Sequence, residues 1–333
     1  MSLDVVFKDG FDHLAAADLV LKWAATSSVV GASKVTGVYG YGSAQRYLNA
    51  NRTIQTPTLT ARASYLVTLH FRLESLPASD IVLLNWREGS TSHTDIRVTA
   101  AGAIRATRNG TSLGISSTGL ISTATWYWLE AVVTVNDSTG AVSVNLNATN
   151  ILNLTSQDTR NAGSTGLVDN IQVNSVSGGN NDWDTFHVIN QSTLLGQELV
   201  IDTSVPTGAG NTTNWTPSTG SNWQNVDDAT SDGDSTYNSA NTVGHKDTFA
   251  MSDFRTGAVE HIQVCAVVRK DDAGARQLAI VTRSNGTDYD GATQTVSSSY
   301  AVYREGLQVD PNTSADWSQA AASAAEFGYK QVA

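Results

Sequence analysis

Apolar and polar residues alternate with a period of two along most of this chain. The clearest case is the stretch TWYWLEAVVTVNDSTGAVSVNLNAT at residues 125–149, in which two alternating halves flank the turn-forming sequence NDSTG. Similar alternation recurs at residues 64–73, 81–86, 94–99, 166–173, 259–269, 277–283 and 298–303. This pattern predicts antiparallel strands with one buried face and one solvated face. In the first hairpin it places Tyr127 on the buried face beside Leu129 and Val133, with Gly140 providing the permissive backbone position of the turn.

Helical patterns are confined to residues 15–23 and 318–327. The strand periodicity pauses after residue 188, and residues 195–216 include a passage rich in Pro, Gly, Asn and Thr. We therefore predict an all-β protein of two antiparallel, jelly-roll-like β-sandwich domains with very little helix, comprising residues 1–194 and 195–333.

Composition narrows the possible partners. The 333 residues carry a formal net charge of −11, and only 15% of them are charged. Because binding to a phosphate backbone needs clustered Lys and Arg, this balance argues against a nucleic-acid partner. No apolar run is long enough for a membrane helix, so membrane insertion is not expected. The first thirty residues show no secretory signal, which leads us to expect synthesis in a cytoplasm.

Several short segments of the sequence resemble segments of a known group of proteins. FKDGFDHL, GYGSAQRYLN, TWYWLEAVVTVNDSTGAVSVNLN and DWDTFHVIN in the first half are similar to the laminin-G-like (concanavalin A-like) domains of tailed-bacteriophage virion proteins. NWTPSTGSNWQNVDD and VCAVVRKDDAG in the second half resemble the module that often follows such a domain in phage proteins. The chain departs from this group at Asn147-Ala148, where relatives usually carry Asn-Gly in a tight turn.

Two binding chemistries can be weighed on the residues. Trp126, Tyr127 and Trp128 offer flat rings suited to stacking on a sugar, but a Trp at the entry of a sandwich strand more often packs in the fold. The segment at residues 228–234 begins like a calcium loop. Its twelfth position is Ser239, however, where the bidentate Glu of such a loop is required. We therefore predict no metal site and no cofactor, and we favour structural roles for the aromatic residues.

Catalytic patterns are not apparent in the sequence. The Glu-x-Asp-x-x-Glu string of concanavalin A-like glucanases is absent, and Glu130 lies mid-strand without an acidic neighbour. The six His residues are scattered, and there is no Gly-x-Ser-x-Gly elbow. On this basis the sequence predicts no catalytic residues and no enzyme.

The resemblance implies a structural component of a tailed-phage virion, exposed on the particle exterior as a decoration, fibre-like or appendage subunit. Its expected partners are capsid, neck or tail proteins and further copies of itself, most simply a trimer, because virion parts occupy symmetry axes. The alternative is a glycan-binding adhesin or receptor-binding protein that contacts a host surface glycan. Copy number in purified particles would distinguish the two, since a decoration protein is abundant and a tail-tip adhesin is not.

Overall fold

The computed structural model describes residues 3–25, 32–40, 43–47, 52–175 and 180–333. The chain divides into two compact units, Asp4–Ile201 and Asp202–Ala333. Each unit is described by itself, and the predicted domain boundary near residue 195 stays a prediction. No helix in the described part of the chain is long and apolar enough to cross a membrane.

The first unit is built almost entirely of strands, with single 3₁₀ turns at Ala16–Leu21 and Val38–Gly40. Its strands are β1 (Val5–Asp9), β2 (Ala24–Ala25), β3 (Ala32–Thr36), β4 (Ser43–Tyr47), β5 (Thr53–Gln55), β6 (Ser64–Leu73), β7 (Ile81–Glu88), β8 (Thr91–Val98), β9 (Ile104–Arg108), β10 (Thr111–Ile115), β11 (Trp126–Thr134), β12 (Gly140–Leu146), β13 (Thr149–Gln157), β14 (Asn170–Asn174) and β15 (Asn181–Ile189).

These strands form two antiparallel sheets with one hydrophobic core. Among the described residues, sheet A has the order β13-β12-β11-β6-β15-β4-β3, with β1 also paired to β15, and sheet B has the order β10-β9-β8-β7-β14-β5-β2. Side chains from both sheets, such as Phe71 and Leu129 of sheet A and Trp86 and Ile171 of sheet B, meet in one buried cluster. The predicted all-β sandwich architecture is confirmed.

The β11–β12 hairpin follows the predicted alternation. Tyr127 lies in the core beside Leu129 and Val133, and its ring stacks on Phe71 at a centroid distance of 5.7 Å. Gly140 has a different role from the one predicted, because its backbone is not among those with positive φ. A Cβ at this position would lie 2.0 Å from Thr159 Oγ1, so glycine is needed for close approach of the chain.

The second unit contains a separate set of antiparallel strands. They are β16 (Pro206–Thr213), β17 (Thr216–Pro217), β18 (Asn238–Ser239), β19 (Lys246–Met251), β20 (Ile262–Val268), β21 (Gln277–Ser284), β22 (Thr287–Asp290), β23 (Gln294–Thr295), β24 (Ala301–Leu307) and β25 (Glu326–Gln331). The helical elements are a 3₁₀ turn at Asn222–Asn225 and the short helix α1 (Gln319–Ala324), at whose start Ser318 accepts a hydrogen bond from Ala321 N.

Within this unit the main sheet has the order β16-β19-β25-β21-β22, with β23 also on β21, and β20 pairs with β24. Strand β16 covers part of the Pro- and Gly-rich passage that interrupts the sequence periodicity. Small residues are required there, because a Cβ on Gly210 would lie 2.5 Å from the Thr248 carbonyl group. The composition of this segment therefore reflects close backbone packing of an edge strand.

Candidate functional site

A cleft lies on the face of sheet A that points away from the core. It has a volume of about 380 Å³ and is lined by residues 38–39, His70, Trp126, Trp128, residues 147–148, Gly196 and Glu198. The alternation that sends Tyr127 and Phe71 inward sends Trp126, Trp128 and His70 to this opposite face. The volume is within the range of roughly 300–1,000 Å³ found for small-molecule sites.

Aromatic side chains form much of the cleft wall. Trp126 and Trp128 come from strand β11, and Tyr39, which is 50% exposed, comes from the 3₁₀ turn Val38–Gly40. The Arg72 guanidinium lies 5.3 Å from the centre of the Trp126 ring, a cation–π distance. The Tyr39 and His70 rings meet edge to face at 6.0 Å. The cleft thus offers flat apolar surfaces edged by polar groups.

Trp128 brings a buried hydrogen-bond donor to the cleft. Its side chain is only 5% exposed, and its Nε1–H finds no acceptor among the residues that the structure describes. Asn147 holds the backbone of Trp128 in place, since Trp128 N donates to Asn147 Oδ1 at 2.9 Å and Trp128 O accepts from Asn147 N at 2.8 Å. Buried indole N–H groups usually have partners. Trp317 in the second unit also has a buried Nε1–H without an acceptor among the described residues, but Trp128 is the one of the two that lines the cleft.

Glu198 is hydrogen-bonded to two other lining residues of the cleft. Its Oε1 accepts hydrogen bonds from the Tyr39 hydroxyl and from His70 Nε2, the latter at 2.5 Å. The Glu198 side chain is 37% exposed, and no hydrogen bond from the described part of the chain reaches its Oε2. Glu198 therefore brings a partly exposed carboxylate acceptor to the lining of the cleft.

His70 is held as a neutral imidazole. Burial lowers the pKa of its ring, and this effect prevails over the opposing influence of the Glu198 carboxylate. Since a carboxylate only accepts, Nε2 carries the proton, and Nδ1 is left to accept from the Thr185 hydroxyl. His70 is 2% exposed and so acts as a fixed support for Glu198.

Glu130 holds the backbone that carries Glu198. This strand β11 side chain is fully buried on the outer face of sheet A, where Asn145 Nδ2 donates to its Oε2 at 3.0 Å. Leu195 N donates to Oε1, and Gly196 N donates to Oε2 at 3.1 Å. The carboxylate therefore anchors the connecting segment only two residues before Glu198.

Asp184 anchors the backbone of the segment that carries Tyr39. Its Oδ2 accepts from Val38 N at 2.8 Å, and its Oδ1 accepts from Thr185 N at 2.7 Å. Burial raises the pKa of Asp184 to about 7, with the Asp12 charge adding to the shift and Lys34 opposing it. Two carboxylates that are isolated in sequence thus position two walls of the cleft.

The arginines beside the cleft are neutralised by acids. Asp182 is fully buried and pairs with Arg46 Nε at 2.7 Å and with a terminal nitrogen of Arg72 at 2.6 Å. Glu74 completes the group, 2.9 Å from Arg46 and 3.4 Å from Arg72. Neither arginine is a lining residue of the cleft.

The residues singled out from the sequence lie in different parts of the structure. Trp126 and Trp128 come together at the cleft, whereas Tyr127 is a core residue. Trp183 is fully buried in strand β15. Within residues 228–234, Asp232 Oδ2 accepts from the Thr236 hydroxyl at 2.8 Å. No group of three metal-ligating side chains occurs in the described ranges.

No family model matches the sequence, and no curated protein matches it. Solved structures do resemble the fold. The alginate lyase Aly36B matches with a TM-score of 0.37 and 13% identity, over 56% of this chain and 95% of the lyase. A carbohydrate esterase of Shiga toxin-encoding bacteriophage phi24B matches with a TM-score of 0.37 and 12% identity, over 56% of this chain and 98% of the esterase. A Trypanosoma rangeli sialidase matches with a TM-score of 0.35 and 12% identity, over 49% of this chain and 28% of the sialidase.

The prediction that the chain is not an enzyme is corrected by these findings. The solved structures that match this one include carbohydrate-processing enzymes. His70, one of the six His residues that are scattered in the sequence, bonds both Glu198 and Thr185 in the fold. At 12–13% identity these likenesses concern the fold alone and assign no activity to this chain.

Proposed function

We propose that this protein binds a glycan in the cleft on the outer face of sheet A. The observation that carries the proposal is the buried Nε1–H of Trp128, which has no acceptor among the described residues, in a cleft walled by further aromatic rings. A sugar ring presents an apolar C–H face and a rim of hydroxyl groups. Aromatic surfaces combined with a few fixed donors and acceptors suit both of these features.

Each group has a defined part in such a complex. The sugar's C–H face packs against Trp126 and Tyr39, while Trp128 Nε1 donates to a sugar oxygen. Glu198 Oε2 accepts from a hydroxyl group, a charge-assisted bond that is shorter and stronger than a neutral one. His70 holds Glu198 in place and contributes no charge.

The test is a glycan array followed by titration calorimetry on the best ligand. Trp128→Phe keeps an aromatic six-membered ring but removes the donor, and we expect it to weaken binding about tenfold, in line with the loss of one buried hydrogen bond. Trp223→Phe, which alters a half-buried indole of the second unit, is the matched control and is expected to bind like the wild type. Equal affinity of the Trp128→Phe variant and the wild type would refute the site. Release of new reducing ends or unsaturated products during the titration would show that the cleft also cleaves its ligand.

We further propose that the protein is displayed on the exterior of a tailed-phage particle, where it contacts other virion proteins and assembles with itself, most simply as a trimer. The sequence segments shared with phage virion proteins support this setting. Quantitative mass spectrometry of purified particles tests it, with tens to hundreds of copies expected for a decoration protein and few for a tail-tip adhesin. Absence from the particles would refute the virion placement. Light scattering of the free protein tests the trimer.

A further inference from the structure

We propose that the cleft selects uncharged glycans over glycans that carry carboxylate or sulfate groups. This inference rests on the proposed function and names the ligand class of that same site. It concerns the charges that an occupant of the cleft would meet.

Among the residues that the structure describes, the lining of the cleft includes no Lys and no Arg, and Glu198 is its only formally charged residue at neutral pH. Both partners of Glu198, the Tyr39 hydroxyl and the neutral His70 ring, are uncharged donors. Nothing in the immediate surroundings of Glu198 therefore cancels its negative charge.

The positively charged residues behind the lining are matched by acids. Lys34, near Asp184, is opposed by Asp9, Asp12 and Asp184 itself. Glu130 is fully buried, and the donors that it accepts from are Asn145 and the backbone amides of residues 195 and 196. The two nearby arginines are matched by Asp182 and Glu74. Apart from Lys34 and its acids, two arginines stand against four carboxylates: Asp182, Glu74, Glu130 and Glu198.

An anionic sugar would add a further negative charge to a site in which carboxylates already outnumber arginines. Coulomb repulsion between like charges a few ångströms apart in a partly desolvated site is strong, whereas hydroxyl groups can donate to Glu198 favourably. The formal charge of −11 on the whole chain acts in the same direction at longer range.

Matched oligosaccharides make the test direct. The β-1,4-linked tetramers of mannose and of mannuronate differ in the carboxylate, as do those of glucose and glucuronate. We expect the neutral member of a bound pair to bind roughly tenfold or more tightly at low salt. This preference should shrink at 1 M salt, where the screening length falls to about 3 Å. Glu198→Gln should also shrink it by improving binding of the acidic member. Glu260→Gln, which removes one charge from the second unit, is the control for net charge.

The outcomes separate this inference from the proposed function. Equal or tighter binding of the acidic member, abolished or weakened by Trp128→Phe, would overturn the ligand class while keeping the cleft as a glycan site. An unchanged preference in the Glu198→Gln variant would overturn the role of Glu198 in selection. Failure of every neutral and acidic glycan on the array to bind would refute the proposed function, and this inference with it.

Discussion

Replacement of Glu130 by Gln tests whether this buried acid positions the cleft. The carboxylate oxygens accept from Asn145 Nδ2, Leu195 N and Gly196 N, and the side chain is fully buried. A glutamine of the same shape has only one oxygen. Its NH₂ group must then face at least one of these three donors, so that at least one charge-assisted bond is replaced by an opposed pair of donors.

The magnitude follows from the bonds lost. A hydrogen bond to a charged group contributes about 1.5–3 kcal/mol, so we expect the free energy of unfolding to fall by about 2 kcal/mol. The amides of residues 195 and 196 should also lose protection, because Glu130 is their acceptor. Since Glu198 follows only two residues later, glycan affinity should fall although Glu130 itself does not line the cleft.

Urea unfolding gives the stability difference, and hydrogen exchange resolved by NMR gives the protection of the two amides. Glu74→Gln is the control, since the Glu74 side chain is 34% exposed and its arginine pairs are expected to contribute no more than about 1 kcal/mol. An unfolding free energy within 0.5 kcal/mol of the wild type, together with unchanged exchange at residues 195 and 196, would refute the anchoring role. Unchanged stability with complete loss of a measured glycan-cleaving activity would instead assign Glu130 to chemistry.

Three further substitutions are expected to give measurable effects. Tyr127→Ala removes a buried ring and the hydroxyl that accepts from Ser122 N at 2.8 Å. This change should lower the free energy of unfolding, measured in urea, by about 3–5 kcal/mol. A decrease below about 1 kcal/mol would contradict the core role of Tyr127. Ala148→Gly relieves a left-handed backbone with φ of 64° and should raise the midpoint of thermal unfolding by about 2–4 °C for about 1 kcal/mol, whereas a lower midpoint would contradict strain at this turn. Burial holds the pKa of Asp184 at about 7, above its ordinary 3.8, so the folded state favours the protonated acid and wild-type stability declines as the pH rises through this window. Relative to the Asp184→Asn variant, the free energy of unfolding of the wild type should therefore fall by about 2–3 kcal/mol between pH 5 and pH 8, because each pH unit below the pKa of about 7 contributes about 1.36 kcal/mol. A stability difference between the two proteins that does not vary with pH would contradict the raised pKa.

The parts of this fold that the sequence predicts are those governed by local alternation. A strand's two faces follow directly from a period of two, which is why the inward positions of Tyr127 and Leu129 could be predicted from the sequence. The same alternation places Trp126, Trp128 and Glu130 together on the outer face. That grouping of two indoles with a buried acid was the available signal for a site, and preferring structural roles for the aromatic residues obscured it.

The rest of the cleft depends on contacts between residues far apart in the chain. Tyr39 and Glu198 are 159 positions apart, and His70 and Glu198 are 128 positions apart. Composition and spacing contain no trace of such pairs, because they arise only when connecting segments fold back over sheet A. For the same reason, isolated Glu and His residues in a β-sandwich sequence are weak grounds for excluding a site.

The two buried carboxylates explain how irregular segments can form a defined cleft on this sheet. Backbone N–H groups in a connecting segment need acceptors when they are taken from water, and a sheet's outer face offers its side chains for that purpose. Glu130 accepts from residues 195 and 196, and Asp184 accepts from Val38, so each acid fixes one segment at one point. Tyr39 and Glu198 are then brought within hydrogen-bond distance although neither lies on a strand. Because a change in either segment leaves the two anchoring acids in place, the lining of the cleft can change through residues 38–39 and 195–198 without a change in the strands that support them.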